Sequence, residues 1–333
     1  MKSYITSDKN AVQEVRNVLD YLYEISGKKI ITGQHTQTMA QEELHRMTDI
    51  TGKEPALLGF ELLSYSPNIN YFDTDEECIT EVEENRGTLQ RAWKWAAKGG
   101  LITFTWHWFS PLGGRSKSFF SKNTDFDPRQ ALIKGTPENT ALMADMDCMA
   151  GILRPFNDKH IPILWRPFHE AEGDWFWWGS KGTETAGQLF RLMHGYFTEK
   201  CGLHDLIWVW NSPKAEGYPG DDVVDIISRD MYPPAYEYTS HIDEYLELKK
   251  ITGQHKIAAI AETGVIPDAE AVIKDKAEWA YYMTWSRDFG LTEKFSTNDE
   301  LRRLYNSEYA VTLDKLPVLY SIREDAAKMS EQI

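Results

Sequence analysis

The sequence predicts an α/β fold, a (β/α)8 TIM barrel, as a single domain over residues 1–333. Three observations carry this. Strand-like apolar runs alternate with helix-like runs along the chain. Most of the strand-like runs are apolar at nearly every position, as in a parallel sheet covered on both faces. No Pro/Gly/Ser-rich linker divides the chain, and 333 residues suit one barrel of this class.

The elements follow in order. Residues 8–26 place Val12, Val15, Val18, Leu19, Leu22 and Ile25 at helical spacing, with Gly27 as a stop. KKIITGQH (28–35) is the first strand, residues 38–51 a helix and PALLGFE (55–61) the second strand. Residues 76–98 form one long amphipathic helix ended by Gly99-Gly100, followed by LITFTWH (101–107). A helix over 137–159 leads to IPILWRPFHE (161–170), and a helix over 183–201 leads to DLIWVWN (205–211). VVDIISRDMY (223–232), IAAIAETG (257–264) and YYMTWS (281–286) complete eight strands. The lengthy loops at 62–75 and 108–136 belong on the active face.

Bulk composition narrows the function. The formal charge is −15, from 36 Lys+Arg against 51 Asp+Glu. Such a surface repels polyphosphates, so neither nucleic acid nor an anionic membrane is an expected partner, and a neutral substrate is. No apolar run is long enough to span a bilayer, and the start MKSYITSDKN lacks an apolar signal core. The expectation is either a cytoplasmic protein or one whose export signal has been removed. Cys78, Cys148 and Cys201 are odd in number and far apart, which suggests buried free thiols rather than a disulfide framework or metal pair.

In a barrel of this kind the C-terminal strand ends converge on one site. Standing there are Glu61, then Trp106-His107-Trp108, then Arg166, His169 and Glu170, then Asn211, Asp230 and Tyr232, Glu262, and Trp285. Glu170 and Glu262 end the fourth and seventh strands, across the barrel from each other. Two carboxyl groups facing across a cleft are the machinery of glycoside hydrolysis. Aromatic platforms suit it, because sugar rings stack their C–H faces on Trp and Tyr and offer hydroxyls at the rim.

The stretch RPFHEAEGDWFWWG (166–179) resembles the acid/base signature of glycoside hydrolase family 26, whose members are mostly endo-β-1,4-mannanases. It keeps His-Glu, the Gly and the Trp-Phe-Trp-Trp-Gly run, with Glu172 where the family often has Asn. TWHWFSP, DMY and AETG resemble the family's third-, sixth- and seventh-strand motifs in the right order. The resemblance implies a retaining enzyme that cleaves β-mannan, glucomannan or galactomannan as a monomer, with no cofactor and no metal. It makes Glu170 the acid/base and Glu262 the nucleophile. His107 and His169 correspond to residues that hold the sugar at the cleavage point. Tyr232 corresponds to a tyrosine that bonds the nucleophile, with Asp230 beside it, and Trp175 and Trp285 correspond to sugar platforms. Trp108 and the 108–136 loop are further expected substrate contacts. On physical grounds apolar walls from Trp175 and Phe168 should raise the Glu170 pKa, and a Tyr232 hydroxyl should favour ionised Glu262.

Plainer readings stand beside these. Glu61 and Asp230 read as structural carboxylates, Arg166 as a buried orienting partner and Asn211 as a backbone-bonding residue at the rim. Glu172 and Asp174 read as loop charges, and Trp93, Trp95, Trp165 and Trp208 as packing. Trp177 and Trp178 read as loop packing, while His35 reads equally as a structural histidine or a site residue. His169-Glu170 is no zinc-protease motif, since position 173 is Gly and the pair ends a strand. Competing functions are a family 26 β-1,3-xylanase or mixed-linkage β-glucanase, a noncatalytic polysaccharide-binding barrel lacking a catalytic carboxylate, and a metal-dependent barrel hydrolase with three or more His/Asp ligands.

Overall fold

In the computed structural model, which describes residues 4–37, 40–114, 116–252 and 256–322, the apolar runs form parallel strands. They are β1 (Ile30–Ile31), β2 (Gly33–His35), β3 (Leu57–Glu61), β4 (Leu101–Thr105), β5 (Ile163–Arg166), β6 (Leu206–Asn211), β7 (Ile226–Met231), β8 (Ile257–Thr263), β9 (Trp279–Thr284) and β10 (Ala310–Val311). Strands β2 to β9 pair in sequence, and β9 returns to β2 through Gln34 and Thr284, closing an eight-stranded parallel barrel. Helices run between the strands, as the alternating pattern requires. The strands bury nearly every residue, which is why they read as continuous apolar runs rather than alternating ones.

Several boundaries differ from the sequence expectation, each for a local reason. The first strand breaks at Thr32, whose carbonyl accepts from Ala56 and Leu57 N–H while its hydroxyl donates to Val311. β1 thereby leaves the ring to pair with β9 and β10. The single helix expected over 76–98 is two, Glu76–Glu84 and Thr88–Ala97. Asn85 caps the first by donating its side-chain amide to the Glu81 carbonyl, and Gly87 at φ 75° turns the chain through a left-handed conformation that favours glycine. The helix expected over 38–51 spans Glu42–Thr51, with Thr38 and Met39 outside the described residues. The helix expected over 183–201 is α-helical to Gly195 and continues as a π-helix over Tyr196–Lys200. The last barrel strand lies two residues earlier than expected, so Trp285 follows it immediately. Of the cysteines, Cys78 is buried as expected, but Cys148 is exposed and Cys201 half-buried. Among the described residues no helix is long and apolar enough to cross a membrane.

Strand register places the site. Glu61 pairs with Thr105, and Thr105 with Arg166, so these lie in one row at the C-terminal end of the barrel. Between β7 and β8 the register shifts after Arg229, which brings Asp230 level with Glu262. Such an irregularity re-aims a side chain at the barrel mouth. The 108–136 loop is tied to the segment after β5: Phe120 bridges Phe176, Ser121 N–H donates to the Trp175 carbonyl and Trp177 N–H to the Phe119 carbonyl.

Candidate active site

At the barrel mouth the chain past Arg166 climbs through Pro167 to two residues in left-handed conformation, Phe168 (φ 53°) and Glu170 (φ 51°). Non-glycine residues there store on the order of 1–3 kcal/mol each, which the surroundings must supply. They do so by hydrogen bonds and packing. Glu170 N–H donates to Asn211 Oδ1 at 2.7 Å, and Trp178 Nε1 donates to the His169 carbonyl at 2.8 Å. Gly173 is needed next, because a Cβ there would lie 2.1 Å from the Trp175 ring.

This geometry puts the Glu170 carboxyl at the cleft with Trp175 Nε1 donating to its Oε2 at 2.7 Å. Its pKa is pushed up to about 7, first by burial and then by the charge of Glu262, against opposing help from Trp175 and Arg166. Across from it, Glu262 is buried with both oxygens engaged. Arg166 Nη2 donates to one, and the Tyr232 hydroxyl donates to the other at 2.7 Å. Burial and the neighbouring Glu262 charge keep Tyr232 protonated by raising its pKa. Tyr232 as a residue is nevertheless 45% exposed, although its hydroxyl is engaged by Glu262. Asp230 accepts from Arg166 Nη1 at 2.9 Å and from Asn211 Nδ2 at 2.8 Å.

One oxygen each from Glu170, Asp230 and Glu262 lies within 4.8 Å of the others. Such a trio attracts a cation, and the chain supplies one. Arg166 is fully buried and bonds Asp230, Glu262 and Thr105 Oγ1. Its guanidinium donors thus supply the counter-charge for two of the three carboxylates. Replacing Arg166 with Met should destabilise the fold by about 3–5 kcal/mol in urea unfolding, because two buried carboxylates lose their counter-charge. A loss under 1 kcal/mol would show that the network carries little of the fold.

His107 lies beside this group. Glu61 accepts from both its backbone N–H and its Nδ1 at 2.8 Å, and its Nε2 lies 3.1 Å from His169 Nε2. The His169 ring is almost wholly enclosed, between Phe176 and Trp178, so its contacts are with His107 and aromatic side chains. His35 stacks beneath Trp285 with ring centroids 3.9 Å apart, and Trp285 is half-buried at the cleft. Trp175 is 43% exposed.

One expected contact sits elsewhere. Trp108 is 1% exposed, stacked on Trp106 and donating to Asp145 Oδ2 at 2.8 Å. Its place corrects the substrate-contact expectation: an enclosed indole with its donor already used has no face for a sugar. Trp177 and Trp178 are likewise buried, and Trp177 donates to the Trp108 carbonyl. Glu172 is half-buried beside Ser212, and burial raises its pKa; Asp174 is exposed. The roles of Glu61 and Asn211 as direct partners of site residues were not distinguishable in sequence from structural strand-end polars.

Residues 7–315 match the model of glycosyl hydrolase family 26. The chain is 35% identical over 320 residues to a mannan endo-1,4-beta-mannosidase from Thermothelomyces thermophilus, an alignment that takes in 93% of this chain and 63% of that protein. It is 28% identical to mannan endo-1,4-beta-mannosidase B of Piromyces sp, over 92% of this chain and 52% of the relative. The chain thus spans about half to two thirds of these relatives. Among solved structures it resembles the Podospora anserina GH26-CBM35 beta-(1,4)-mannanase, with TM-score 0.85 and 32% identity over 95% of this chain and 69% of that one. A beta-mannanase from a symbiotic protist of the termite Reticulitermes speratus, solved with gluco-manno-oligosaccharide, matches with TM-score 0.82 and 28% identity, over 95% of this chain and 99% of the other.

Proposed function

The chain belongs to glycosyl hydrolase family 26, and from that premise we propose that it is a retaining endo-β-1,4-mannanase acting on β-mannan, glucomannan or galactomannan. The observation that carries the mechanism is the carboxyl spacing. One oxygen of Glu170 and one of Glu262 lie within 4.8 Å of each other, a close approach that suits the roughly 5–5.5 Å carboxyl spacing of retaining enzymes better than the roughly 6.5–9.5 Å that admits a water in inverting ones.

In the first step Glu262 attacks the anomeric carbon as the glycosidic C–O bond breaks, and Glu170 gives its proton to the departing oxygen. In the second, ionised Glu170 takes a proton from water, whose oxygen bonds the anomeric carbon and releases Glu262. Arg166 and Tyr232 suit Glu262 to this work: each donates to one of its oxygens, and together they fix its orientation. Trp175, Trp285 and Tyr232, all partly exposed, offer stacking surfaces, with His107 and Asp230 at the polar floor.

Trp175 acts twice in this reading. Trp175→Phe keeps an aromatic ring and removes the donor to Glu170. That donor favours the ionised carboxyl, so its loss raises the Glu170 pKa and moves the alkaline limb of kcat/KM to higher pH. Trp175→Ala also removes the platform and should raise KM about tenfold, the equivalent of roughly 1.4 kcal/mol. An unmoved limb in the Phe variant would contradict the first assignment.

Substrate is tested by a panel of glucomannan, galactomannan, lichenan and β-1,3-xylan, with end-group and product-size analysis. The proposal expects oligosaccharides from the two mannans. Preferential cleavage of lichenan or β-1,3-xylan would replace it with the alternative family activities.

A further inference from the structure

Glu61 ends β3, next to the chain that carries His107, and is 1% exposed. A carboxylate this deep is costly unless its oxygens are satisfied, and both are taken by one residue: Oε1 by His107 N–H and Oε2 by His107 Nδ1, each at 2.8 Å. The other ring nitrogen of His107 faces His169 Nε2 at 3.1 Å. That contact requires one proton between the two nitrogens, since two lone pairs repel and two N–H groups collide.

We propose that Glu61 is a positioning residue for catalysis: it fixes His107 as an imidazolium whose second proton, on Nε2, is donated to His169. This deepens the glycosidase reading and depends on it for its kinetic consequence, whereas the protonation pattern is a property of the free protein. The groups facing His107 agree with the assignment. Glu61 on β3, Glu81 on the Glu76–Glu84 helix and Glu262 on β8 are negative; His169 after β5 and His35 on β2 are enclosed imidazoles. Burial disfavours a charge on His107, but Glu61 and these acids outweigh it and raise its pKa. His169 is held neutral by burial and by the charges of His107 and Arg166, so beside a doubly protonated His107 it accepts at Nε2. The imidazolium then joins Arg166 as a second positive neighbour of Glu262, on the side where the sugar must be held.

Three readouts test this. In 15N-histidine NMR of the wild-type protein near pH 6, His107 should carry protons on both ring nitrogens and titrate above the usual value of about 6.5, with His169 neutral. In Glu61→Gln the His107 titration should fall and kcat/KM should drop up to about 100-fold. In a His107→Asn background the same Glu61→Gln change should cost less than about twofold, because a residue that acts through another shows no effect once that other is gone. A neutral His107 in the wild-type spectrum at pH 5.5, or additive losses in the cycle, overturns the proposal. Should Glu61→Gln fail to fold, the wild-type titration decides by itself. If the NMR pattern holds while no β-linked glycan is cleaved, the function reading fails and the protonation of His107 stands.

Discussion

Glu262→Ala is expected to lower kcat on β-mannan by on the order of 10^5-fold, about 7 kcal/mol of transition-state stabilisation. Asp230, level with Glu262 in the register and held by Arg166 and Asn211 as Glu262 is held by Arg166 and Tyr232, is the rival carboxylate that the variants must separate from it. The Ala variant leaves a space where an external anion fits. Azide with an aryl β-mannoside should therefore restore turnover and give the α-configured mannosyl azide, since one displacement inverts the anomeric centre. Asp230→Asn should show no such rescue. Equal rescue of both variants, or of neither, would mean that the nucleophile is misassigned.

Glu170→Ala should cost about 10^2- to 10^4-fold on polysaccharide, the range for losing a general acid, and far less on a substrate whose leaving group needs no proton. The pH dependence carries a sign. Burial and the Glu262 charge raise the Glu170 pKa to about 7, so the acid is loaded below that pH and emptied above it. Wild-type kcat/KM should thus fall as pH rises through about 7, and that limb should vanish in Glu170→Ala. The two causes also explain how one carboxyl serves both steps. Once Glu262 is esterified its charge is gone, the Glu170 pKa drops, and the residue becomes the base that the second step requires. An alkaline limb unchanged in the variant would remove Glu170 from this role.

Much of this was legible in the sequence because the signals were local. Strands buried on both faces must be apolar throughout, so ILW before Arg166 and IAAIA before Glu262 mark themselves. Their polar ends then mark the mouth of the barrel. The WFWWG run announced a self-packed loop, and Trp177 and Trp178 are enclosed as packing residues. What the sequence concealed depends on contacts between distant segments. Trp108 and Trp175 are both tryptophans beside a catalytic motif, yet Asp145 and Trp106 draw one inward while Glu170 and Gly173 hold the other at the surface. Arg166 could be read as an orienting residue, but not as the shared counter-charge of Asp230 and Glu262, since those lie on separate strands. The break at Asn85–Gly87 was within reach: an Asn followed closely by Gly is a helix stop that the flanking apolar periodicity masked.

The central claim is double displacement through Glu262. It is tested most directly by a 2-deoxy-2-fluoro-mannosyl donor with a fluoride or dinitrophenolate leaving group, which slows release of the intermediate more than its formation. The protein should gain the mass of one fluorosugar, and peptide mapping should find it on Glu262. A label on Asp230 or Glu61, or no label together with first-formed product of inverted configuration, would contradict the mechanism.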